Sequence, residues 1–248
     1  MEEKSYIEFG STLYRGFISD NLYHDKNLGE VHFSSYIPKS YDGSKPYALF
    51  ITIPGWDGWL FWGAGANLEF QDFGIEAQKY NGEMLVLSLQ FNACDELTAK
   101  QTVAITEYFL ENYNINPKKV YLHGYSAGGE TGSIVMGIKP ELYCAFLTTS
   151  SKWSGDITGL VKAETPVYLA TAKLDSAYGS YSFKETYEEL VEKYNKKGLS
   201  EKEIAEILTL NLVEQQYFLD RGYKRYDQHG GGMSFAHDEE IMGWLFAH

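Results

Sequence analysis

Cysteine is nearly absent: Cys94 and Cys144 are the two in 248 residues, with no Cys-x-x-Cys pair and no metal-ligand spacing. A disulfide framework and a cysteine-based zinc site are therefore not what organises this chain. Both thiols are read as buried, with a single disulfide as the alternative. Basic charge is also scarce. Lys and Arg total 21 against 34 Asp and Glu, for a net charge of −13, and no Lys/Arg run occurs. Nothing is available to neutralise a row of phosphates, so neither nucleic acid nor an anionic membrane is an expected partner. Long apolar runs are missing as well. Stretches such as 48–53 fall far short of the ~20 residues that cross a bilayer, and a soluble chain is expected. There is no repeat, heptad or low-complexity stretch. The opening MEEKSYIEFG carries no apolar leader core, which leaves the compartment open between cytoplasm and secretion with the leader removed. The oligomeric state is equally open.

What is present is 44% apolar residues, enough to fill one large core, and a single domain spanning 1–248 is the expectation. Residues 31–37 alternate and end at Pro38, which suits an outer strand within an N-terminal region, 1–45, of outer strands. The runs 47–53, 84–90, 120–123, 145–149 and 166–171 are short and almost wholly apolar, as strands buried on both faces of a parallel sheet must be. Helical patterns separate them. Residues 98–113 place Ile105, Tyr108 and Phe109 on one face and stop before Asn116-Pro117. Others are expected from Ala127, over 181–194, and from the capping box Ser200-Glu-Lys-Glu203. Alternation of this kind predicts an α/β protein with a mostly parallel, doubly wound sheet and helices on both faces, working residues lying at the carboxyl ends of the strands.

One stretch carries chemistry. In VYLHGYSAGGETG, residues 120–132, a strand-like run leads into Gly124-Tyr-Ser126-Ala-Gly128. A sharp strand-to-helix turn would lift the Ser126 hydroxyl above the sheet, with glycines on both sides to clear the corner. The bare pattern also occurs by chance in flexible loops, so a base, an acid and an oxyanion site must be found elsewhere. Six histidines are available. His237 precedes an apolar face of Ile241, Trp244 and Leu245, a helix whose docking would fix the loop before it. His229 sits in DQHGGGMSF, where three glycines permit motion, and His237 is preferred over it as the base. Asp175, just past the 166–171 strand, is preferred over Asp156 as the carboxylate that orients the imidazole. Oxyanion donors are expected from the N–H groups of Ala127 and of Trp56, the latter after the turn at Pro54-Gly55. Trp59, Trp62, Tyr125 and Trp153 are the expected substrate-binding residues, because aromatics crowd around the loop that supplies a donor. Gly63-Ala-Gly65 lacks the third glycine of a nucleotide fingerprint and reads as plain loop.

The stretches YIPKSYDGSKPYALFITIPGW, NYNINPKKVYLHGYSAGG and FAHDEEIMGWLF resemble the serine esterases of the α/β-hydrolase superfamily. They resemble in particular the feruloyl-esterase and polyhydroxybutyrate-depolymerase-like group, which often also carries the label prolyl-oligopeptidase-like. The resemblance implies an α/β-hydrolase fold, Ser126 as nucleophile, Asp175 as acid, His237 as base, and Trp56 with Ala127 as oxyanion donors. It implies a small-molecule or polymer-linked ester as substrate, of feruloyl or polyester type, and no cofactor. Pro54-Gly55 departs from the more common His-Gly, in a form similar to cutinase-like polyester hydrolases, which also carry a Trp at the place of Trp153. The long interval from Asp175 to His237 implies a helical insertion over 195–230 before the last histidine loop, with the last strand near 207–212. A serine peptidase and a non-catalytic ligand-binding member of the fold are the alternatives.

Overall fold

The computed structural model describes residues 4–223 and 227–248. Ten strands form one sheet: β1 (Tyr6–Glu8), β2 (Leu13–Tyr14), β3 (Phe17–Asp25), β4 (Gly29–Tyr36), β5 (Tyr47–Ile53), β6 (Met84–Gln90), β7 (Ile115–Tyr125), β8 (Ala145–Thr149), β9 (Val167–Ala172) and β10 (Leu208–Val213). Their order across the sheet is β1-β3-β4-β6-β5-β7-β8-β9-β10, with β2 paired to β3. The strands from β6 to β10 along that order are parallel neighbours, and β1 to β4 form an antiparallel flank joined through β4 and β6.

Period-two alternation divides the apolar runs between two cores. Leu49 and Ile51, with Leu85, Leu87 and Leu122, face Ile105 and Phe109 of the helix Glu96–Asn112 and Phe183 and Leu190 of the helix Tyr181–Lys197. Ala48 and Phe50, with Val86 and Tyr121, face Phe73 and the last helix, Glu239–Ala247, through Ile241 and Leu245. Each such buried side chain contributes roughly 1.5–3 kcal/mol of transfer free energy. With both faces covered, β5, β6, β8 and β9 have no exposed position.

The Asn116-Pro117 step that ends the helical pattern lies inside β7, which starts five residues ahead of the apolar run that predicts it. The capping box is present: the Ser200 side chain accepts from Glu203 N–H and the Glu203 carboxylate from Ser200 N–H. Of the expected insertion, 195–230, residues 224–226 lie outside the described residues. The rest is not wholly helical, because it supplies β10, parallel to β9 at the edge of the sheet. No helix among the described residues is long and apolar enough to cross a membrane.

Candidate active site

Ser126 occupies a turn between β7 and the helix Ala127–Ile138, at φ 55° and ψ −123°. A non-glycine residue there is strained by about 1–3 kcal/mol and persists only when its surroundings over-determine it. They do. Ser126 N–H donates to Thr149 O at 3.0 Å, and Ser126 O accepts from the Ser151 hydroxyl at 2.6 Å. A Cβ at Gly128 would lie 2.0 Å from Ile53 O, and one at Gly124 2.3 Å from Gly128 O. The two glycines are thus required by backbone-to-backbone contact, and the serine between them is forced up at the carboxyl end of the sheet.

The Ser126 hydroxyl lies 2.9 Å from Nε2 of His229. Nδ1 of His229 lies 2.9 Å from Oδ2 of Asp175, whose side chain is fully buried. Asp175 is oriented in turn by the N–H groups of Ala177 and Tyr178, at 3.0 and 2.8 Å from its Oδ1. A serine, a histidine and an aspartate therefore form one hydrogen-bonded chain, with Asp175 just past β9, where the sequence places it.

The histidine is the correction: His229, not the expected His237, bonds Ser126 and Asp175. His237 stands half-exposed with Nε2 3.0 Å from Asp72 and Nδ1 3.6 Å from Glu76. The helix after it does dock, but the residue it fixes is Asp238, which accepts from the N–H groups of Glu240 and Ile241 and from Arg221. The glycines after His229 do the opposite of what mobility arguments suggest. A Cβ at Gly232 would sit 1.9 Å from Ser150 Oγ and 3.2 Å from the Tyr125 ring, so glycine lets this turn press onto the end of the sheet. The turn is fixed at its start by Asp227, which accepts from the His229 and Gly230 N–H groups. Burial pushes the Asp227 carboxyl up, and hydrogen bonds from Ser176, Gly230 and His229 more than offset this, leaving it below the usual range.

Tyr125 is also corrected. Its ring stacks on that of His229 with centroids 5.6 Å apart, and its hydroxyl donates to His229 O at 2.9 Å; it holds His229 and is itself buried. Burial, followed by the charge of Asp175, drives its phenol well above the ordinary value. Asp156 is an exposed turn residue bonded to Thr158. Trp153 packs on Phe146 and donates to Gly155 O, lining a separate groove of about 430 Å³ with Ser182 and Glu189.

Ala127 opens its helix, so its N–H belongs to the first turn, whose donors have no partner within the helix. Trp56 follows Gly55, where a Cβ would come within 2.9 Å of Ser126 Cβ. Gln71 ties this loop down by accepting from Gly55 N–H at 3.3 Å, a contact with no signature in the sequence. Trp56, Phe61 and Trp62 are each half-exposed and meet at centroid distances of 4.9–5.3 Å. Trp59 is less exposed and touches Phe61 edge-on at 6.0 Å.

Against solved structures, a thermostable esterase superposes with a TM-score of 0.72 at 19% identity, over 94% of this chain and 63% of that one. The chain has the α/β-hydrolase fold. The same α/β-hydrolase architecture matches oligopeptidase B from Leishmania major, with a TM-score of 0.55 at 11% identity, over 98% of this chain and 37% of that one. Among curated proteins, an acetylxylan esterase from Coprinopsis cinerea is 32% identical over 62 residues. That match takes in 25% of this chain and 16% of the relative's length. No protein-family model matches the chain.

Proposed function

We propose that this α/β-hydrolase protein is a serine carboxylesterase working through an acyl-enzyme, with His229 in place of His237 as base. The observation that carries the reading is the chain Ser126 Oγ, His229 Nε2, His229 Nδ1, Asp175 Oδ2, each link 2.9 Å. Ser126 Oγ attacks the ester carbonyl as its proton passes to His229 Nε2. Asp175 holds the tautomer that keeps Nε2 free and stabilises the imidazolium that forms. The N–H groups of Trp56 and Ala127 face the oxygen on which charge develops, where one such donor contributes about 2.7–4 kcal/mol. Collapse expels the alcohol, protonated by His229, and water then releases the acid. The half-exposed cluster of Trp56, Phe61 and Trp62 beside the oxyanion loop supports an ester with a flat aromatic group, or a polymer-linked one. Ring stacking there adds ~0.5–1.5 kcal/mol per pair.

A fluorophosphonate probe tests the assignment. One equivalent should label the wild type on Ser126, and Ser126→Ala should take no label and lose ester hydrolysis by up to ~10⁶-fold while remaining folded. Labelling elsewhere, or hydrolysis by Ser126→Ala within about tenfold of the parent, would remove the nucleophile from the scheme.

A further inference from the structure

Residues 55–65 carry both the Trp56 N–H proposed for the oxyanion and the ring cluster of Trp56, Phe61 and Trp62. The end of β6 holds them. Gln90, the last residue of that strand, is buried. Its Nε2 donates to Gly58 O at 2.9 Å and to Gly63 O at 3.1 Å, and its Oε1 accepts from Gly65 N–H at 3.0 Å. Carbonyls only accept and an N–H only donates, so these three partners fix which end of the amide is which. The next two residues continue the seam: Phe91 O accepts from Leu60 N–H and Asn92 Oδ1 from Phe61 N–H, each at 2.9 Å.

The loop is shaped to meet this one side chain. Gly63 lies at φ 108° and ψ 158°, a conformation essentially open only to glycine, and Gly65 at φ 88°. In the sequence these two glycines read as plain loop; in the fold their turns bring Gly63 O and Gly65 N–H to the same amide. On the other side, Gly58 N–H donates to Gly55 O at 2.9 Å and Trp59 N–H to Trp56 O at 3.1 Å, so the turn that contains the Trp56 N–H ends on the carbonyl that Gln90 holds. One buried amide thus ties the oxyanion turn, 55–58, to the far end of the segment, 63–65, with Phe61 and Trp62 between them.

Resting on the serine-esterase reading and its flat aromatic substrate, we propose that Gln90 is a positioning residue that makes the oxyanion turn and the ring cluster one rigid body. Selectivity for flat acyl groups and stabilisation of the charged oxygen then depend on the same side chain. An apolar residue of the same length would leave two carbonyls and one N–H without partners at a buried site, and the loop would relax toward water to satisfy them. Rings and donor would lose their fixed places together.

Gln90→Met tests this with two methyl esters that share a leaving group, methyl ferulate and methyl butyrate, at rates referred to the fraction of Ser126 that a fluorophosphonate titrates. For both esters kcat should fall about tenfold or more, as a displaced oxyanion donor requires. For the ferulate alone KM should rise about fivefold, through lost ring stacking. A purely structural role would lower the titrated fraction and leave both KM values where they are. Gln90→Glu keeps the acceptor for Gly65 N–H and loses both donated bonds, so it should show the same split and keeps a test available if the methionine variant does not fold. Hydrogen exchange over 56–65 should quicken in either variant. A ferulate KM within about twofold of wild type, or a rise of equal size for both esters, overturns the role of Gln90 and leaves the esterase reading intact; unchanged exchange does the same. A wild-type chain that takes no label on Ser126 overturns both.

Discussion

Asp175 and His229 are separated by 54 residues and Ser126 and His229 by 103, yet each is held by short-range bonds of its own. Two N–H groups aim the carboxylate, Asp227 and Tyr125 hold the imidazole, and the strained turn presents the hydroxyl. Asp175→Asn keeps the shape and both N–H contacts but offers the amide in place of a full carboxylate, which stabilises the wrong histidine tautomer. Loss of ~10⁴ in kcat with little change in thermal midpoint is expected. Loss of less than about tenfold would show that Asp175 does not set the tautomer. At this scale the sequence singles out Ser126, Asp175 and the Pro54-Gly55 loop, because each directly follows an apolar run that marks the end of a strand. It does not single out His229. The feature that fixes His229 is a contact of Gly232 with Ser150 and Tyr125 from distant segments, and in one dimension a glycine that permits close approach looks the same as one that permits motion.

At the scale of elements, β7 carries a histidine outside the Ser126, His229 and Asp175 chain. His123 is wholly buried between Thr52 and Thr149, with Nδ1 2.8 Å and Nε2 3.1 Å from their hydroxyls. Burial lowers its pKa to about 3, against ~6.5 in an unfolded chain. Below pH ~6.5 the unfolded state takes up a proton that the folded state refuses, so this stability is fully present above that pH and is lost as pH falls, by at most ~1.4 kcal/mol per unit. Urea unfolding between pH 7 and pH 5 should lose stability more steeply in the wild type than in His123→Gln, by close to one proton's worth. Equal slopes would mean that His123 is protonated in the folded chain. Most strands are legible in advance, since burial on both faces demands continuous apolar runs. Less legible is β10, whose inner positions are only half-buried at the sheet's edge; its mixed sequence, LTLNLV, gives a weak period.

Across the whole molecule the parallel strands bring the ends of β5, β7 and β9 to one edge, and the chain after β10 returns there to bring His229 to Ser126 and Asp175. Neither core needs His229 or His237, so substitution at either leaves the sheet and its two apolar faces intact. That makes the pair the most direct measurement: kcat/KM for p-nitrophenyl acetate with His229→Ala and His237→Ala, beside a thermal midpoint for each. His229→Ala should fall to within about tenfold of the Ser126→Ala residual, because nucleophile and base act as one unit. His237→Ala, which loses only contacts of a half-exposed side chain with Asp72 and Glu76, should stay within about threefold of wild type. Retention of activity by His229→Ala together with its loss in His237→Ala would contradict the site.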